Sequence, residues 1–104
     1  MTHEETRRVV EGYLSDQAGH WLAEEVELED TCCSEIKRGR GEVAAWLRAL
    51  TDKADGRRAR LTIEDGRAVV EQLSSPAFAA VFEVDAGEIT RARLYYTLNQ
   101  RVTR

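Results

Sequence analysis

An α+β fold, with a curved, mostly antiparallel sheet and about three N-terminal helices, is predicted by two features of this sequence. Apolar residues recur with helical spacing only in the first half of the chain. From Arg60 onward, alternation with period two takes over and is punctuated by turn-forming dipeptides. A chain of 104 residues has room for one core, so a single domain over residues 1–104 is expected.

The elements follow in order. Thr2-His3-Glu4-Glu5 has the spacing of a capping box, which starts a helix at His3. Val9, Val10, Tyr13 and Leu14 then share one face of it, and the pattern breaks over residues 16–19. A short second helix is predicted over residues 20–24, with Trp21 and Leu22 as its apolar members. Residues 25–29 alternate strictly, the signature of a half-buried strand. Gly39 and Gly41 bracket a turn. Val43, Trp46, Leu47 and Leu50 form the stripe of a further amphipathic helix, closed by Asp55-Gly56. Strands are predicted over residues 60–64 and 67–74 around the hairpin turn Asp65-Gly66. After the interruption at Pro76, two more follow over residues 78–84 and 88–98, joined by Asp85-Ala86-Gly87. The sheet should therefore hold about five strands.

Composition narrows the function. With 42% hydrophobic and 33% charged residues the chain is of ordinary globular type rather than disordered. A net charge of −4 argues against a nucleic-acid partner, which calls for a basic stripe. Arg57, Arg58 and Arg60 are read as a solvated loop. No apolar run comes near the roughly 20 residues of a membrane span, and the polar start of the chain does not read as a secretory signal. A cytoplasmic protein is expected. Cys32 and Cys33 are adjacent, so a shared disulfide would be strained, and two thiols alone make no zinc site. Free thiols are expected. With no glycine-rich phosphate loop and no histidine cluster, neither a cofactor nor a metal is expected.

The strongest chemical signal lies in Val26-Glu27-Leu28-Glu29-Asp30. Period two puts Asp30 on the face of Val26 and Leu28, with Glu27 and Glu29 turned to solvent. A carboxylate aimed at an apolar face is costly unless paired or protonated, and such groups often have a task. The plainer reading, weighed equally, is a strand that ends or bulges at Asp30. Tyr13 lies on the apolar stripe of the first helix, where a buried hydroxyl needs a partner. A core role is the commoner outcome for it and for Trp21 and Trp46. His3 and His20 are assigned no chemical role. In the last two strands Phe78, Ala80, Phe82 and Val84 share one face, and Ala92, Leu94 and Tyr96 another. Arg91, Arg93 and Tyr95 lie opposite, a composition that suits a protein interface as well as a solvated face.

Four stretches, Val9-Val10-x-x-Tyr13, Val26-x-Leu28-Glu29-Asp30, Arg38-Gly39-Arg40-Gly41-Glu42-Val43-Ala44-Ala45-Trp46-Leu47 and the closing hairpin from Phe82 to Tyr96, are similar in order and spacing to the nuclear transport factor 2-like superfamily. Within it they most resemble the SnoaL-like branch of polyketide cyclases and ketosteroid isomerases. The resemblance implies a curved sheet wrapped by helices into a cone around an apolar pocket. The residues implied to line that pocket are Val26, Leu28, Trp46, Phe78, Ala80, Phe82, Ala92, Leu94 and Tyr96. It implies Asp30 as a proton-moving base and Tyr13 as a donor to a developing oxyanion. It also implies a homodimer paired through the sheet. The acid that ketosteroid isomerases carry on a later strand falls here on Ala80, and the stretch between Tyr13 and Asp30 is short for the family.

Two readings follow. One is a non-catalytic dimer that binds a small hydrophobic ligand or simply scaffolds. The other is an isomerase or cyclase acting on a small apolar carbonyl compound through Asp30 and Tyr13.

Overall fold

In a computed structural model of the chain, residues 2–16, 19–31, 34–53, 59–72 and 78–96 are described. They form α1 (His3–Asp16), a single 3-10 turn (Gly19–Trp21), β1 (Leu22–Asp30), β2 (Glu35–Arg38) and α2 (Arg40–Lys53). Then follow β3 (Ala59–Glu64), β4 (Arg67–Gln72), β5 (Phe78–Asp85) and β6 (Glu88–Tyr96). Cys32, Cys33, Asp55, Gly56, Arg57, Arg58 and Pro76 lie outside the described residues, as do the predicted ends of the strands at 73–74 and 97–98.

The capping box forms as expected. Thr2 Oγ1 accepts the Glu5 amide N–H at 3.1 Å, and Glu5 Oε1 accepts the Thr2 N–H at 3.1 Å. Two α-helices are present among the described residues rather than about three. The helix predicted over residues 20–24 is only the 3-10 turn, because Leu22 is needed in the sheet: it pairs with Ile89 and is fully buried. Arg40 secures this corner, its Nε donating to the Leu22 carbonyl at 3.0 Å. Gly39 takes φ +94°, which a Cβ would disfavour, and α2 starts directly after it, so Gly41 lies inside the helix rather than beyond a turn.

The sheet has six strands in the order β2-β1-β6-β5-β4-β3, one more than expected. The addition, β2, is an edge strand of four residues, too short to show a period in sequence. All neighbours are antiparallel except β1 and β6, which run parallel, so the sheet is mixed. Register shifts between Leu22 and Glu27 and between Glu83 and Val84 bend it, as bulges do. α1 packs over β3 to β6 and α2 over β1 and β2, all on one face. That face holds the core: Val26, Leu28, Ala68, Val70, Phe78, Ala80, Phe82, Ala92 and Leu94 meet Val9, Val10 and Tyr13 of α1 and Val43 and Leu47 of α2. No described helix is long and apolar enough to cross a membrane.

Candidate functional site

The strand registers arrange the interior face in rows. One row runs Leu28, Ala92, Phe82, Ala68, Ile63 from β1 to β3. The next runs Asp30, Leu94, Ala80, Val70, Leu61. Period two thus carries Asp30 inward, as the sequence suggested, and it is only 4% exposed. β1 ends at Asp30, but its register with β6 is unbroken from Glu27 to Asp30, so the side chain stays on the inner face. Its carboxylate is engaged in a polar interaction rather than isolated, which is what its burial requires.

Tyr13 reaches the first row from above. It follows Val9 and Val10 on the buried stripe of α1 and is 2% exposed. Its ring meets that of Phe82 edge-on, at 6.4 Å between centroids and 65°. Among the described residues its hydroxyl has no hydrogen-bond partner. Burial pushes its pKa up to about 12, against the opposing pull of the Arg48 charge. A neutral O–H donor held in apolar surroundings is suited to an oxygen acceptor on a ligand.

The remaining predicted lining residues are distributed as follows. Val26, Leu28, Ala92 and Leu94 are fully buried, and Phe78, Ala80 and Phe82 nearly so. Trp46 is half-buried on α2 against this core. The side chain of Tyr96 lies outside the described residues. Ala80 stands in the row of Asp30, two strand spacings or roughly 10 Å away, with Leu94 between them. A carboxyl there would complete a pair of acids; the methyl group cannot.

Sequence reading missed the edge of the site. Antiparallel partners project to the same face, so Lys37, opposite Leu28, and Glu35, opposite Asp30, belong to the interior side of the sheet. Lys37 Nζ lies 4.9 Å from the centre of the Trp46 ring and 3.7 Å from Glu35 Oε1. The short edge strand gave no signal for them. His20 stacks on Trp21 at 4.6 Å, and no group of His, Cys, Asp and Glu among the described residues could hold a metal ion.

Two hollows lined by described residues lie away from Tyr13 and Asp30. One, of ≈ 430 Å³, opens among the β3–β4 and β5–β6 turns between Glu64, Asp65, Arg67, Glu83 and Asp85. The other, of ≈ 390 Å³, lies along Gly41, Ala44, Ala45, Arg48 and Ala49 of α2.

No family model matches the chain, and no curated protein does. Solved structures do. An NTF2-like protein from Burkholderia xenovorans LB400 aligns over 100% of this chain and 99% of its own, at 15% identity and TM-score 0.70. A protein from Kribbella flavida DSM 17836, provisionally assigned as a ketosteroid isomerase, aligns over 91% of this chain and 79% of its own, at 22% identity and TM-score 0.68. The fold is NTF2-like. A de novo designed protein with a curved β-sheet aligns over 99% of this chain and 95% of its own, at 25% identity and TM-score 0.75. An NTF2-like fold alone therefore assigns no chemistry; that rests on Tyr13, Asp30 and their surroundings.

Proposed function

We propose that this chain is a SnoaL-like domain that binds a small hydrophobic ligand carrying one acceptor oxygen. The observation that carries this reading is the Tyr13 hydroxyl, buried in the apolar wall without a partner among the described residues. Leaving such a donor unpaired costs about 1–3 kcal/mol, a cost that a bound carbonyl would offset. Acetophenone and ethylbenzene, matched in shape and differing in the carbonyl, provide the test by saturation-transfer NMR. Tyr13→Phe should weaken acetophenone roughly 3- to 10-fold, the worth of one hydrogen bond, and leave ethylbenzene unchanged. Binding of neither, or equal effects on both, would refute the reading.

A second reading adds proton transfer, as in an isomerase or cyclase. It is favoured by the burial of Asp30 on the sheet face that α1 and Tyr13 cover. In it Asp30 takes a proton from the carbon beside the carbonyl, and Tyr13 donates to the oxygen as negative charge gathers there. Ala80 offers no second donor, which weighs toward binding rather than turnover.

A further inference from the structure

Asp30 is well placed to take a proton from a ligand and poorly placed to hand it to water, because it is only 4% exposed. The end of β1 is also held in place. The Thr31 N–H and the Thr31 hydroxyl both donate to the Leu94 carbonyl, at 3.1 Å and 2.6 Å. A second carboxyl lies directly across from Asp30, on the side away from Leu94. Glu35 is its ladder partner on β2, and both side chains project to the inner face. The Cβ atoms of such partners stand roughly 4.5–5.5 Å apart. At that spacing the two carboxyl groups can meet in a hydrogen bond or share one water. Unlike Asp30, Glu35 reaches solvent, with its side chain 54% exposed. It is also oriented: Lys37 Nζ lies 3.7 Å from Glu35 Oε1 and 4.9 Å from the centre of the Trp46 ring. A cation resting on α2 thus draws the Glu35 carboxylate over the inner face.

We propose, resting on the proton-transfer reading of this site, that Glu35 relays protons between the buried Asp30 carboxyl and solvent. Asp30 takes a proton from the carbon beside the ligand carbonyl. The C–H bond breaks, and its electron pair moves to the carbonyl oxygen, where Tyr13 donates. The Asp30 carboxyl passes its proton to the Glu35 carboxylate, and Glu35 releases it to water. The reverse path brings a solvent proton to Asp30 and from there to the carbon, so each residue ends in the state in which it began. Glu35 acts through Asp30 and does not touch the ligand, which makes it a positioning residue. The relay also narrows the substrate class. A base closed off from water carries the same proton from one carbon to another. A base with a relay exchanges the hydrogen beside the carbonyl with solvent. The substrate is then a carbonyl compound enolised with solvent exchange.

Proton NMR of methyl exchange in deuterium oxide, over a range of acetophenone concentrations, tests this. Wild type should exchange faster than buffer, and Asp30→Asn should not. Glu35→Ala should lower kcat roughly 100-fold, the lower end of what a positioned proton carrier contributes, and leave KM unchanged. Acetate added to the buffer should restore its rate, because a small carboxylate can fill the space left by the side chain and carry the proton. Wild type and Asp30→Asn should not respond to acetate. Glu35→Asp, which keeps the carboxyl, should keep most of the rate. Glu35→Ala as fast as wild type, a rise in KM at unchanged kcat, or a slow variant that acetate does not restore would overturn the relay and leave Asp30 as the base. Wild type no faster than buffer would remove the proton-transfer reading, and the relay with it. If Glu35→Ala does not fold, Glu35→Gln keeps the shape without the carboxyl and must show the same fall in kcat at unchanged KM.

Discussion

Thr6 on α1 joins the first helix to the β3–β4 turn: its Oγ1 accepts the amide N–H of Gly66 at 2.8 Å and donates to the Thr2 carbonyl at 2.9 Å. Gly66, at φ +78°, in turn accepts the Val84 N–H through its carbonyl at 2.9 Å. One fully buried hydroxyl thus ties three parts of the chain that are remote in sequence.

Thr6→Val keeps the shape and removes both bonds. It leaves the half-buried Gly66 N–H without its acceptor, so the protein should lose about 1–2 kcal/mol. Thr6→Ser should retain most of the stability. Urea midpoints of the three proteins provide the measurement; equal midpoints for wild type and Thr6→Val would show the hydroxyl to be dispensable.

Gly12 is held small by Trp21. A Cβ at Gly12 would lie 2.7 Å from the indole Cε2 and Cη2 and against Cζ2. Gly12→Ala gains about 1 kcal/mol of helix propensity, yet the rigid indole must move, at about 1–3 kcal/mol. A net loss of stability with a shifted tryptophan emission maximum is expected. A more stable variant with unchanged emission would show that the indole yields freely.

Tyr13 makes stability depend on alkaline pH. Its folded pKa of about 12 exceeds the ordinary tyrosine value of 10.0, so the folded state holds the proton more tightly. That contribution is fully present below pH 10.0 and is lost as pH rises through about 12. Tyr13→Phe removes the buried unpaired hydroxyl and should match or exceed wild type at pH 8. Its advantage should widen at pH 11. Urea midpoints at both values decide; a constant difference would mean that Tyr13 titrates alike in both states.

Asp30→Asn removes the only base in the proposed proton transfer while keeping size and polarity. In deuterium oxide, wild type should exchange the methyl protons of acetophenone faster than buffer, and the variant should not. Circular dichroism confirms that the variant is folded. Equal exchange by both proteins would remove Asp30 from the chemistry and leave the binding reading standing.

The sequence by itself determined what depends on neighbours within a few residues. The Thr2–Glu5 cap, the stripe of Val9, Val10 and Tyr13, and the alternation that turns Asp30 inward are all set by helix and strand periods, and each appears where expected. The hairpins at Asp65-Gly66 and Ala86-Gly87 are likewise local, because glycine supplies the positive φ that those turns need. Tertiary structure decided what depends on which strand lies beside which. β2 exists because Glu35–Arg38 pairs with β1, not because its four residues carry a pattern. Leu22 left its predicted helix because Ile89, far along the chain, offered a buried place in the sheet. Lys37 and Glu35 joined the edge of the site by lying across from Leu28 and Asp30. On the outer face, Arg38, Glu27, Arg91, Glu83, Arg67 and Glu64 form a row of alternating charge in the same way, since each strand supplies one member and only strand order and register bring them together.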